Sequence, residues 1–184
     1  AELLENAGVD NLIIYPFTLE FASLNSCDFI QKILYGKLKV KQLIVGFDHH
    51  FGKDREGNLE ILRNCADPFG FDIIKVGALE DEGKKISSSR IRNLICEGNI
   101  QKANEYLGYE YFINGVVVEG DKIGRTIGFP TANINIMEKE KLIPKKGVYA
   151  VKIIVDTKEF NGMLNIGNRP TISAKTETNI EVNI

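Results

Sequence analysis

Thr131, Asn133 and Glu181 are residue types suited to phosphoryl chemistry, and their spacing lets strands present them together. If "TANINI" is extended, Thr131, Asn133 and Asn135 share one face, while Ala132, Ile134 and Ile136 take the other, because side chains alternate across a strand. The same alternation in "NIEVNI" puts Glu181 and Asn183 opposite an apolar set of Ile180, Val182 and Ile184. One reading is plain: these are the solvent faces of half-buried strands. The chemical reading is a phosphoryl-transfer site. There Thr131 and Asn133 supply oxygen ligands to Mg²⁺, which prefers hard oxygens, and Glu181 accepts the proton of an attacking hydroxyl. Catalysis of that kind is mostly positioning and charge neutralisation.

The segment "EGDKIGRTIGFP" precedes the first of these strands. Gly115, Gly120, Gly124 and Gly128 allow close backbone approach, and Lys122 and Arg125 add positive charge to whatever the loop surrounds. Such a loop can hold an anion or can be an ordinary hairpin turn, and it is not a Walker A sequence. A second anion candidate is "ISSSRIR": serines opening a helix expose backbone N–H groups, with Arg90 and Arg92 nearby. Its plain alternative is a simple N-cap by Ser87 or Ser88. His49 and His50 are adjacent and point different ways in extended chain, which disfavours a shared metal.

Two textures must position these residues. From residue 1 to 108, short apolar runs ("LIIYPF", "QLIVGF", "FDIIKV") alternate with helical patterns ("DFIQKILYGK", "LEILRNCAD"). That alternation predicts βαβ units and a parallel sheet. "SSSRIRNLICEG" and "NIQKANEYLG" read as two successive helices, each with a polar N-cap and a terminal glycine. Residues 109–184 alternate at period two between turn signals, which predicts a small antiparallel barrel. A chain of 184 residues, 43% hydrophobic, can bury a real core in one or two domains, and its net charge of −2 gives no basic surface for nucleic acid. Three cysteines without a CxxC pair read as free thiols, and no apolar run approaches membrane-spanning length. The expected location is cytoplasmic.

Four ordered stretches, "GDKIGRTIGFPTANI", "LIPKKGVYAV", "NIGNRPT" and "IEVNI", resemble the riboflavin kinase domain across nearly all of residues 110–184. The resemblance implies a Greek-key flavokinase barrel that transfers the γ-phosphate of ATP to the ribityl 5′-hydroxyl of riboflavin, leaving ADP and FMN. Thr131 and Asn133 match the family's Mg²⁺-nucleotide positions, and Gly120, Lys122, Gly124, Arg125 and Gly128 lie in the loop expected around the nucleotide phosphates. Glu181 matches the catalytic base. Many relatives carry His where Asn183 stands.

The first half, through "VGFDHHFGKDREGN" and "ISSSRIRNLICEGNIQKANEYLG", is similar to the adenylyltransferase domain of the bifunctional bacterial riboflavin kinase/FAD synthetase family. That implies an α/β nucleotidyltransferase-like (Rossmann-like) domain over 1–108, joining FMN and ATP to form FAD. Ser87, Ser88, Ser89, Arg90 and Arg92 would lie by the ATP phosphates, and Asp48 near the nucleotide. The family's HxGH-type motif occurs nowhere in these residues, and both ends read as cut, so the expectation is an internal piece that does not itself catalyse adenylyl transfer. Two alternatives stand beside it: an enzyme active only as a kinase, and a non-catalytic flavin- or nucleotide-binding module.

Overall fold

The structure is a computed structural model that describes residues 1–50, 52–53, 57–120, 130–169 and 177–184. Its contacts divide the chain into two compact units, Ala1–Leu79 and Glu80–Ile184.

In the first unit, short helices α1 (Glu2–Asn6), α2 (Leu19–Ala22) and α3 (Ser26–Phe29) precede the sheet. Thr18 and Asn25 cap α2 and α3, each side chain accepting from a backbone N–H three residues on. α3 continues as a wider π-helical stretch, Ile30–Tyr35, which places Ile30 and Leu34 on one buried face. Strands β1 (Gln42–Gly46) and β2 (Asp72–Val76) pair in parallel, with Gln42 opposite Asp72 and Gly46 opposite Val76. Between them runs α4 (Leu59–Ala66), so the expected βαβ unit is present. Asn58 starts α4 by accepting from the N–H groups of Glu60 and Ile61 at 2.9 and 3.0 Å. The core joins Ile30 and Leu34 to Val45, Leu62, Ala66 and Phe71.

"LIIYPF" departs from expectation. It forms no strand, and Ile14 and Phe17 are 85% and 80% exposed. β-propensity alone does not make a strand: it needs a neighbour to accept its ladder, and Pro16 has no N–H to contribute. The segment instead leans on Phe21 through Tyr15 and Phe17, with ring centroids 4.7 and 5.7 Å away.

The second unit opens with a hairpin of β3 (Glu80–Asp81) and β4 (Lys84–Lys85), turned by positive φ at Glu82 and Gly83. Helices α5 (Ser88–Glu97) and α6 (Ile100–Leu107) follow as the sequence predicts. Ser87 and Asn99 cap their starts, and Gly98 and Gly108 end them in the left-handed conformation. Both helices fall on the sheet's side of the contact division, ahead of the compositional boundary at 108. The Lys145 N–H donates to the Ile95 carbonyl at 3.3 Å, and Tyr111 donates its N–H to Asn104 and its hydroxyl to the Leu142 carbonyl.

The strands β5 (Gly115–Val118), β6 (Ala132–Ile136), β7 (Gly147–Val155), β8 (Lys158–Arg169) and β9 (Glu177–Asn183) form one antiparallel sheet in the order β5-β6-β9-β8-β7. This corrects the barrel. Among the described residues β5 and β7 are free edges that do not pair with each other, so the sheet is open. Asp156 and Thr157, at φ 48 and 69, turn the β7–β8 hairpin as a primed two-residue loop requires. Ile166, Ile180 and Val182 are buried beneath the sheet.

The free-thiol expectation is corrected at two of three positions. Packing of α3 against α4 brings Cys27 and Cys65 together as a disulfide, with Cα atoms 5.2 Å apart, while Cys96 remains free and exposed. The bridge spans a sequence separation of 38, so its loss frees a long loop in the unfolded chain and is expected to lower stability by about 2–4 kcal/mol. Denaturation with and without dithiothreitol measures this. An unchanged midpoint, with three thiols titrating in the unreduced protein, would exclude the pairing.

Candidate functional site

The site in the sheet is set by register. β6 and β9 pair with Asn133 opposite Glu181, and β9 and β8 pair with Asn165 opposite Glu181. Directly opposed residues in antiparallel strands share a face. Asn133, Glu181 and Asn165 therefore form one polar row across three strands, with Val118 and Val148 continuing it on β5 and β7. The neighbouring positions, Ala132, Val182 and Leu164, point to the opposite, apolar side, where Val182 is buried.

Hydrogen bonds orient the row. Thr131 Oγ1 donates to Glu181 Oε2 at 3.4 Å, and Asn179 Nδ2 donates to Glu181 Oε1 at 2.6 Å. Both carboxylate oxygens are thus engaged by side chains on the same face. Asn183 Nδ2 donates to the Pro130 carbonyl at 2.7 Å, tying the end of β9 to the entry of β6. Sequence reasoning missed Asn179 and Asn165. Asn165 lay in the quoted "NIGNRPT", and period-two counting from Ile166, on the apolar face, would have put it on the polar one.

Beside this row lies a cavity of about 330 Å³ walled by Val117 and Val118, into which Gly120, Thr131 and Asn133 converge. A side chain at Gly120 would collide with the amide of Asn133, so the glycine is required by close approach. Lys122, Gly124, Arg125 and Gly128 lie outside the described residues.

The second candidate centre is the start of α5. Ser87 Oγ accepts from the Arg90 N–H at 3.3 Å, and the Ile91 N–H bonds the Ser87 carbonyl at 3.0 Å. Among the described residues the N–H groups of Ser88 and Ser89 have no partner, so they are the donors open to an anion. Ser87, Ser88, Ser89 and Arg92 are exposed. Arg90 turns elsewhere. Its Nη1 donates to the carbonyls of Lys84 at 3.1 Å and Asp81 at 3.4 Å, and its guanidinium lies 4.8 Å from the Tyr106 ring centroid. Tyr106 in turn donates its hydroxyl to Asp81 Oδ2 at 2.6 Å, and Lys102 sits 3.1 Å from the same oxygen.

In the first unit, Phe47, His49 and His50 line a cavity of about 280 Å³ together with Asn58 and Lys75. The two histidines thus share one cavity despite their adjacency. Asp48 is exposed and is not among the residues that line it. Asn58 and Lys75 carried no signal in the sequence. The first is an N-cap, and the second reaches the cavity only because β2 lies beside β1.

A parallel βαβ unit followed by an antiparallel sheet with a carboxylate–amide row fits a nucleotidyltransferase-like part joined to a β-rich kinase part. The comparisons agree: residues 1–90 match the family model of FAD synthetase, and residues 107–184 match that of riboflavin kinase. The chain belongs to the bifunctional riboflavin kinase/FMN adenylyltransferase family. It is 42% identical to the member from Listeria monocytogenes over 184 residues, covering 100% of this chain and 58% of that one. Against the member from Bacillus subtilis it is 40% identical, covering 98% and 57%. For that of Escherichia coli K12 the identity is 40%, covering 92% and 54%. The chain thus spans a little over half the length of these relatives.

A crystal structure described as that of a macrolide-efflux protein from Streptococcus pneumoniae superposes with a TM-score of 0.88 at 36% identity, covering 100% of this chain and 58% of that one. The efflux description is that protein's own. Among the described residues here, no helix is long and apolar enough to cross a membrane.

The Asp81 carboxyl is held below its ordinary 3.8, first by the hydrogen bond from the Tyr106 hydroxyl and then by that from the Lys102 ammonium; burial opposes them, and the charges of Lys102 and Arg90 add smaller effects in the lowering direction. A depressed carboxyl contributes stability above its unfolded value, and that contribution is lost as pH falls through the lower folded value. NMR titration of Asp81 is expected to give a midpoint below 3.8 that moves upward in Tyr106→Phe. Identical midpoints in the two proteins would remove the hydroxyl as the cause.

Proposed function

We propose that the chain is part of a transferase of flavin cofactor synthesis: in the parent protein its second part serves the phosphorylation of riboflavin to FMN and its first part the adenylylation of FMN to FAD, with the functional boundary near Gly108. The observation that carries the kinase reading is the register of β6 with β9, which puts Thr131, Asn133 and Glu181 on one face beside the cavity at Gly120. The family relationship supports both activities, and ATP, ADP, riboflavin, FMN and FAD are the substrates and products this implies.

In this reading Glu181 accepts the proton of the ribityl 5′-hydroxyl as its oxygen attacks the γ-phosphorus of ATP, and ADP departs. Asn179 fixes the orientation of the carboxylate, and Thr131 releases its bond to Glu181 to face the nucleotide. The Thr131 hydroxyl, just before β6, and the Asn133 amide oxygen, two residues on, are hard donors that fit a divalent cation, Mg²⁺ here. When bound, that ion supplies positive charge for the nucleotide phosphates. Gly120 lets the backbone approach Asn133 closely.

For adenylyl transfer, the N–H groups of Ser88 and Ser89 and the guanidinium of Arg92 hold ATP phosphates at the start of α5. In the first unit, Asp48 and the neighbouring cavity lined by His49, His50 and Asn58 are a separate candidate for contact with a nucleotide. Such an enzyme works in the cytoplasm, where ATP is made.

The full-length parent, given riboflavin, ATP and Mg²⁺, is expected to form FMN and then FAD. Glu181→Gln should lose most riboflavin phosphorylation, by about a hundredfold or more, while still converting supplied FMN to FAD. Normal kinase turnover in that variant would remove Glu181 as the base. Riboflavin binding without any product would favour a binding module instead. Gly120→Ala, which forces Asn133 aside, should reduce kinase kcat/KM by about ten- to a hundredfold. An unchanged value would separate the cavity from the nucleotide.

A further inference from the structure

Arg90 combines two roles that the residue type alone would not separate. Its backbone N–H is capped by Ser87, and its guanidinium reaches back to the carbonyls of Asp81 and Lys84. The chain from Asp81 to Arg90 is therefore closed on itself by one residue. The hairpin β3–β4 cannot swing without disturbing the first turn of α5, where Ser88 and Ser89 carry the open N–H groups. The guanidinium spends Nη1 on carbonyl acceptors, sits 3.9 Å from Asp81 Oδ2 through Nη2, and stacks on Tyr106. It is only partly exposed, whereas Arg92 is exposed and its side chain makes no hydrogen bond or ion pair among the described residues.

α6 completes the clasp. Tyr106 donates to Asp81 Oδ2, and Lys102 bonds the same carboxylate oxygen and Glu105. The Lys102 ammonium also lies 4.9 Å from the Tyr106 ring centroid, so the ring is flanked by two cations that share one carboxylate. Hairpin, α5 and α6 are thus bound at a single point. A planar guanidinium suits this place because it can bond two carbonyls and stack at once, which an ammonium cannot.

We infer that Arg90 is a positioning residue for adenylyl transfer: clasped by Asp81, Lys84 and Tyr106, it aims the Ser88 and Ser89 N–H groups at the ATP phosphates, and Arg92 is the arginine that meets them. This rests on the assignment of α5 to the adenylyltransferase site. It makes Tyr106, which touches no nucleotide in that reading, matter to ATP use through Arg90.

The test uses the full-length parent, with FMN-to-FAD and riboflavin-to-FMN conversion assayed separately. Arg90→Met, Arg90→Lys and Tyr106→Leu are each expected to raise KM for ATP in adenylylation by roughly five- to tenfold, with kcat altered less than about twofold. The Arg90→Met/Tyr106→Leu double variant should be no worse than the worse single one, because both break the same clasp. Riboflavin phosphorylation should be unchanged in all of them, which also reports that the second unit is folded. Tyr106→Phe, which keeps the ring, provides a milder variant and should give a smaller rise in the same direction.

A raised KM in both Arg90 variants with a normal one in Tyr106→Leu would make Arg90 a direct phosphate contact and overturn the inference. Normal values throughout, while Arg92→Met loses adenylylation, would overturn it and leave the site assignment intact. Normal adenylylation in Arg92→Met and in a Ser88→Pro/Ser89→Pro double variant would remove the assignment and the inference together.

Discussion

The pairing of β9 with β6 on one side and β8 on the other is the constraint on which the candidate kinase site depends. With Asn133, Glu181 and Asn165 held opposite one another, every second residue along each strand is committed to the polar face, and the intervening residues must fill the core. A slip of one residue would turn Glu181 inward and expose Val182. Burial of Ile166, Ile180 and Val182 therefore protects the geometry of the polar row as well as the stability of the sheet. The hydrogen bonds from Thr131 and Asn179 then refine what register has already decided.

The start of α5 follows a different logic. A helix leaves its first N–H groups without partners whatever its surroundings, so the anion-binding capacity is local. Its direction is not local. Arg90, Asp81 and Tyr106 draw a hairpin and two helices to one point, and that point sets where the open donors of Ser88 and Ser89 face. The charges in the clasp are few and close together. Asp81 is held ionised by Tyr106 first and Lys102 next, and the Lys102 ammonium is held charged by Glu105 and then Asp81.

The first unit is bound by a small core and one covalent link. Ile30, Leu34 and Leu62 pack between the parallel pair and its helices, and the Cys27–Cys65 bridge joins α3 to α4 across the stretch that carries β1, His49, His50 and Asn58. The same unit leaves Ile14 and Phe17 in the open. Composition cannot distinguish a buried apolar run from an exposed one, because burial belongs to the neighbours and not to the run.

Much of this was legible in the residues themselves. Period-two alternation placed Thr131, Asn133 and Glu181 on their faces, and the polar caps at Ser87 and Asn99 with glycines at 98 and 108 bounded α5 and α6. These features are local: each depends on side-chain direction or on hydrogen bonds within a few residues. Tertiary structure alone decided that Asn179 and Asn165 flank Glu181, that Arg90 turns to the hairpin, that Cys27 meets Cys65, and that β5 and β7 do not pair with each other among the described residues. Each of those is a meeting between separate elements or a choice of partner. No spacing along a single chain encodes it directly, since packing selects one partner among several that local chemistry would accept.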